Sequence, residues 1–244
     1  MIGWSQLLSS PLRLLLVLTL ALFWSGCLLD SSSKSDVDPG PEPPEEIEEP
    51  GEEDEPEEDE PGDGEEDFFA GPPTIVAYGD SITRGSSLPT ALPYPARVEA
   101  MVGRRVINES VPGEGTCRAA SRVEVLQRYN ADTVMIMYGT NDVLGNWNLR
   151  VSKECLRNVI RAVQSMGARP LLATIPPMID EKERFMPAVE VMNEFIWELA
   201  RQENVQVVDV FTEFGTGEGL FLPDGFHPNE VGTQLIAFMF AEAL

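Results

Sequence analysis

From Thr74 to the C-terminus, short apolar runs alternate with longer stretches in which apolar side chains return every three or four positions. Thr74–Tyr78, Arg105–Asn108, Thr133–Tyr138, Pro170–Ile175 and Val205–Phe211 read as strands, rich in β-branched residues and with little polar alternation. Helices are predicted near Pro95–Met101, over Thr116–Tyr129, over Ser152–Met166, from about Pro187 to Gln202, and from about Asn229 to the end. The third of these carries Leu156, Val159, Ile160 and Val163 at helical spacing, which makes one face apolar. Apolar strands separated by helices build parallel βαβ units, so the expected architecture is α/β with three layers. In such open sheets ligands sit beyond the carboxyl ends of the strands.

The region ahead of this body changes the picture. Residues 1–26 contain Arg13 and an apolar run from Leu14 to Trp24 interrupted only by Thr19. That run is too short for a bilayer core about 30 Å thick and reads as a removable export signal. Its ending, Ser25-Gly26-Cys27, resembles a bacterial lipoprotein signal, which implies cleavage before Cys27 and an acyl anchor on that residue. Trp24 departs from the usual aliphatic residue, so ordinary secretory cleavage and an uncleaved anchor are the alternatives. Leu28, not Asp, follows the cysteine, so no retention signal for the inner membrane is present. In a Gram-negative host the expected place is the periplasmic side, at the outer membrane.

Charge then separates two further segments. The chain has a formal net charge of −24, yet 19 of its carboxylates lie between Asp36 and Asp67, where there is no Lys or Arg. Residues 27–67 are thus an acidic, Pro- and Gly-rich linker that cannot bury enough apolar surface to offset its ordering entropy. From Phe68 onward 21 acids face 15 bases, an ordinary soluble composition. Residues 68–244 are expected to form one domain, burying roughly 70% of its unfolded surface. No basic stripe is present to displace phosphate counterions, which excludes nucleic acid as a partner. With Cys27 assigned to the anchor, Cys117 and Cys155 either pair as a disulfide, which an oxidising compartment permits, or stay as two buried thiols.

Four short motifs carry candidate chemistry. Gly79-Asp80-Ser81-Ile82 follows the first strand, where Ser81 either presents its hydroxyl to the crevice or belongs to a plain turn or cap. Pro112-Gly113-Glu114-Gly115 follows the second and lets main-chain N–H groups approach a ligand, or is a plain loop. Gly139-Thr140-Asn141-Asp142 follows the third, with Asn141 either donating its amide into the crevice or stabilising the turn. Asp224-Gly-Phe-His227-Pro228 precedes the last helix and holds the one histidine of the chain. There an Asp three residues upstream can orient one ring nitrogen and leave the other free as a base.

Together, in this order, the four motifs resemble the SGNH/GDSL hydrolase superfamily over essentially all of residues 74–244. The resemblance implies a flavodoxin-like αβα sandwich around a parallel five-stranded sheet. It implies Ser81 as nucleophile, Asp224 and His227 as its triad partners, and an oxyanion hole from Ser81, Gly113 and Asn141. Two departures are Glu109-Ser110, where an apolar-glycine pair is common, and Ile82 in place of Leu. Asn146 and Trp147 follow the third motif closely enough to border the cleft, a plain loop or core role being the equal alternative.

The implied reaction is hydrolysis of a carboxylic ester through an acyl-enzyme, without metal or organic cofactor. The absence of a long apolar lid favours short acyl or acetyl esters of the cell envelope. Lysophospholipids or thioesters, acyl transfer to a sugar hydroxyl, and a non-catalytic binding lipoprotein are the other readings. Neither the acyl chain, the alcohol nor the oligomeric state is legible.

Overall fold

A computed structural model describes residues 73–86, 88 and 93–244; the export signal, the Cys27 anchor and the acidic linker lie outside the described residues. Five parallel strands form one sheet: β1 (Thr74–Gly79), β2 (Val106–Asn108), β3 (Ala131–Met137), β4 (Arg169–Ala173) and β5 (Gln206–Val208). Their order is β2-β1-β3-β4-β5, the doubly wound arrangement of flavodoxin-like folds. The chain runs outward from β1 in both directions, so β1 and β3 flank the switch point where a crevice opens. Helices α1 (Ser81–Arg84), α2 (Tyr94–Val102), α3 (Thr116–Arg122), α4 (Thr140–Leu144), α5 (Leu149–Ser165), α6 (Met186–Glu203), α7 (Val210–Phe214) and α8 (Glu230–Ala243) surround the sheet.

The core divides by strand alternation. Val76, Tyr78, Val134, Ile136 and Leu172 point to one face, where α5 brings Leu156, Val159, Ile160 and Val163 and α6 brings Val189, Met192, Ile196 and Leu199. Ile75, Ala77, Met135, Met137, Leu171 and Ala173 point to the other, against Tyr94 and Val98 of α2 and Ile236 and Phe240 of α8. Both faces are covered, which is why these strands read as continuous apolar runs. Tyr94 stacks on Phe240 with ring centroids 5.2 Å apart, joining α2 to α8 across 146 positions of sequence.

Three elements differ from the sequence expectation. The helix expected over 116–129 is α helical only to Arg122 and continues as a 3-10 helix, Val123–Arg128. Val123 and Leu126 are both buried there, and the three-residue period keeps them on one side. α5 starts at Leu149 rather than near Ser152, because the Asn148 side chain caps it by accepting the Arg150 N–H at 3.1 Å. The last apolar run is strand only over Gln206–Val208; Asp209 then accepts the Thr212 N–H and starts α7.

Cys117 and Cys155 form a disulfide joining α3 to α5 across 38 positions. Closing a loop of that size restricts the unfolded chain by roughly 4 kcal/mol. Replacing both cysteines by Ala is therefore expected to lower unfolding stability by about 3–4 kcal/mol, read from urea unfolding of the oxidised proteins. An unchanged urea midpoint contradicts this.

Candidate active site

The first motif turns sharply because of Gly79. A Cβ at this position would stand 1.9 Å from Thr83 Oγ1 and 2.9 Å from the Met137 carbonyl oxygen, so a side chain would push α1 off the end of β1. Asp80 is the cap of the turn: its Oδ1 accepts the Ile82 N–H at 2.9 Å. Ser81 itself opens α1, where its main-chain N–H has no intrahelical acceptor. The residue is only 7% exposed, and its Oγ lies 2.9 Å from His227 Nε2. The cap and the hydroxyl thus belong to two adjacent residues.

The fourth motif is held as a small closed loop ahead of α8. Leu222 N–H bonds the His227 carbonyl at 2.8 Å, Phe221 and Pro228 form an isolated bridge, and the Asn229 amide spans to the carbonyls of Gly219 and Phe221. Asp224 uses both oxygens: Oδ1 accepts the N–H groups of Phe226 and His227, and Oδ2 meets His227 Nδ1 at 2.7 Å. Partial burial acts to raise the Asp224 carboxyl, but the main-chain and ring donors of His227, with Phe226, outweigh it and hold the carboxyl below its ordinary value. An ionised acceptor at Nδ1 fixes the proton there and leaves the Nε2 lone pair facing Ser81. The Phe226 ring packs on the imidazole with centroids 4.0 Å apart. A hydroxyl, a base and an orienting carboxylate are therefore in line.

The second and third motifs flank this line. Val111 N–H bonds the Gly79 carbonyl at 3.0 Å, and Glu114 N–H closes a turn on the Val111 carbonyl at 3.2 Å. Gly113 sits inside that turn at φ +75°, a left-handed conformation that favours glycine, with open space where a Cβ would stand. Asn141 is on α4 beside it. Its Nδ2 donates to Asp80 Oδ2 and to the Glu114 carbonyl oxygen, each at 3.0 Å. Asn141 thus ties the loop of the second motif to the turn after β1, with both amide hydrogens engaged.

Three buried carboxylates escaped the sequence reading. Asp80, Glu114 and Asp142 all lie within the motifs, but the sequence pattern gives none of the three a partner. Asp142 is fully buried and accepts from Thr116 N, Thr116 Oγ1 and Ser152 Oγ, pinning the start of α3 to α4 and α5. Glu114 has a fully buried side chain paired with Arg122. The signal available was an acidic residue within a glycine turn, followed by Arg122 two helical turns on. Of the two residues expected to border the cleft, Trp147 is 51% exposed with its ring across Gly115 and Gly145. Asn146, at φ 51°, closes the turn after α4 through its N–H to the Val143 carbonyl.

The comparisons bear on the family and the fold. The model of the GDSL-like Lipase/Acylhydrolase family matches residues 77–235. Thioesterase 1/protease 1/lysophospholipase L1 of Escherichia coli K12 is 24% identical over 175 residues, covering 70% of this chain and 83% of that protein. A member of the lipolytic protein G-D-S-L family from Veillonella parvula superposes with a TM-score of 0.63 at 22% identity, over 70% of this chain and 97% of the other. An acetyl xylan esterase superposes with a TM-score of 0.62 at 20% identity, over 70% and 99% respectively. At such identities the superpositions carry the fold alone, while the family match spans most of the chain and takes in all four motifs. The chain belongs to the GDSL-like lipase/acylhydrolase family and is an ester-bond hydrolase.

Proposed function

We propose that the chain is a serine esterase that works through an acyl-enzyme, with Ser81 as nucleophile, His227 as base and Asp224 as the group that orients it. The observation carrying this reading is the continuous line Ser81 Oγ, His227 Nε2, His227 Nδ1, Asp224 Oδ2, at 2.9 and 2.7 Å. In the first half-reaction His227 Nε2 takes the Ser81 proton while Oγ bonds the ester carbonyl carbon. The tetrahedral oxyanion is received by the N–H groups of Ser81 and Gly113 and by the Asn141 amide. The imidazolium, stabilised by Asp224, passes its proton to the departing alcohol oxygen as the carbon–oxygen bond breaks. Water then gives a proton to His227 and attacks the acyl-enzyme; the acid leaves and Ser81 regains its proton. These steps call on no metal or organic cofactor.

The substrate side of the proposal is a short-chain or acetyl ester, on a glycan of the cell envelope. Trp147 supports it: a half-exposed indole beside the second motif offers a flat apolar surface on which a sugar ring can lie. An acetyl xylan esterase shares the fold. Export and acylation at Cys27, followed by the acidic linker, would hold the catalytic body off a membrane surface. The Escherichia coli relative, by its name a thioesterase and lysophospholipase, favours a second reading in which a longer acyl chain is cleaved.

A series of p-nitrophenyl esters from acetate to palmitate, run beside acetylated xylan and a lysophospholipid, separates the two. The proposal predicts that kcat/KM falls at least about 10-fold between butyrate and decanoate, as expected where extra methylenes find no pocket, with acetate released from xylan. A rise with chain length, together with lysophospholipid cleavage, supports the second reading. Faster acyl loss with sugar acceptors, giving acylated sugar, identifies a transferase.

A further inference from the structure

The Glu114 carboxylate is a buried charge beside the site, and the proposed triad chemistry gives it no role. Its side chain has no exposed surface. Arg122 reaches it with Nε at 2.9 Å from both oxygens and Nη2 at 2.8 Å, and the Tyr138 hydroxyl donates to Oε2 at 2.7 Å. Arg122 is fixed in turn by Glu109 at 3.0 Å and by the Tyr78 ring beneath its guanidinium, 4.5 Å from the centroid. The main chain of the same residue is equally engaged: its N–H closes the turn around Gly113, and its carbonyl oxygen takes an Asn141 amide hydrogen. One residue thus joins a buried ionic anchor to two of the three groups assigned to the oxyanion.

A buried ion pair of this kind is a poor source of stability, since apolar side chains of equal volume serve as well. What it does well is hold one geometry. With both Asn141 hydrogens already directed, to Asp80 and to the Glu114 carbonyl, an oxyanion is bound by sharing a hydrogen in a three-centre arrangement. The angle of that arrangement follows the position of the loop carbonyl, and a shift of a few tenths of an ångström there misaims the donor.

We propose that Glu114 is a positioning residue for the oxyanion site: through its contacts with Arg122 and Tyr138 it fixes the loop carbonyl on which Asn141 hangs, and with it the Gly113 N–H. This rests on the esterase reading above. Glu114→Gln keeps the shape but sets an amide N–H against the Arg122 donors. Tyr138→Phe removes one donor to the carboxylate and one acceptor of Arg122 Nη2 but leaves the ion pair, so it keeps the test alive if the first variant fails to fold.

The experiment measures kcat and KM on p-nitrophenyl acetate, per active site titrated with a fluorophosphonate, for the full chain and in an Asn141→Ala background. Glu114→Gln is expected to lower kcat by about 10- to 100-fold with KM within about threefold, and Tyr138→Phe to lower it by about three- to tenfold. In the Asn141→Ala background each loss should shrink to less than about threefold, because only the Gly113 N–H is then left for Glu114 to position. Unchanged kcat in the folded variants, or equal losses in both backgrounds, overturns the proposal. If Asn141→Ala itself keeps full activity, the assignment of the oxyanion donor fails as well, and Ser81→Ala then shows whether the esterase reading survives.

Discussion

Ser81→Ala is expected to abolish ester hydrolysis, lowering kcat by roughly 10⁵- to 10⁶-fold while leaving the fold intact. Oγ is the single atom lost, and the residue packs at the start of a four-residue helix whose cap is Asp80. His227→Ala should cost about as much, because Oγ without a base is a weak nucleophile. The double variant should be no worse than either single one, since the two side chains act as a unit and each is useless alone. Asp224→Ala is expected to retain about 10- to 100-fold more activity than these. It leaves Nε2 near Oγ but releases the tautomer, and it also removes the acceptor for the Phe226 and His227 N–H groups. Steady-state rates on p-nitrophenyl acetate, with circular dichroism to confirm folding, read all four proteins. Independent, multiplying losses would argue against a shared proton path.

Asp80→Asn should be the next most damaging change, with kcat lowered by about 10²- to 10³-fold, the usual cost of losing an oxyanion donor. Asp80 accepts on both oxygens, from Ile82 N–H and from Asn141 Nδ2. An amide in its place has one acceptor, so either orientation sets two donors against each other. Burial pushes the Asp80 carboxyl up to about 7; the Ile82 N–H opposes this, and the charges of Asp142 and Glu114 add to it. The sign for stability follows from linkage. The folded state binds this proton more tightly than the unfolded chain, so the contribution of Asp80 is full below about pH 4 and is lost as pH rises toward 7. For activity the dependence is opposite, because protonation takes an acceptor from Asn141, and kcat should fall as pH drops through about 7. The stability difference between wild type and Asp80→Asn, followed by urea unfolding from pH 4 to 8, should therefore change with pH. A constant difference would show that Asp80 does not take up a proton in this range.

The line of hydroxyl, imidazole and carboxylate was legible because its parts are short, local and polar, at points where apolar runs end. His227 has Asp224 three residues away, so a partner for the ring could be read from the sequence itself. The parallel sheet was legible for a related reason: strands covered on both faces cannot alternate, and Ile75–Tyr78 and Val134–Tyr138 do not. Where the reading stopped short, the missing information was tertiary or capping. Asn148 starts α5 three residues early, and nothing in the apolar spacing of Leu156 to Val163 reports a cap. The strand expected over Val205–Phe211 is cut at Asp209, whose side chain holds Thr174 Oγ1 as well as the Thr212 N–H. Glu114 was hidden more completely. A carboxylate in a glycine turn looks solvated until Tyr138, Arg122 and Tyr78 close over it, and those come from the residue after β3, the end of α3 and β1. The two hydrogens of Asn141 were likewise unreadable, since their acceptors lie 61 and 27 positions away.

The most direct test of the central claim is covalent. The protein is incubated with a fluorophosphonate, digested, and the modified peptide sequenced by mass spectrometry, with His227→Ala in parallel. A nucleophile activated by its neighbour predicts one adduct, on Ser81, formed rapidly in the wild type and barely at all in the variant. An adduct on any other residue, or labelling of Ser81 at the same rate without the imidazole, would contradict the account.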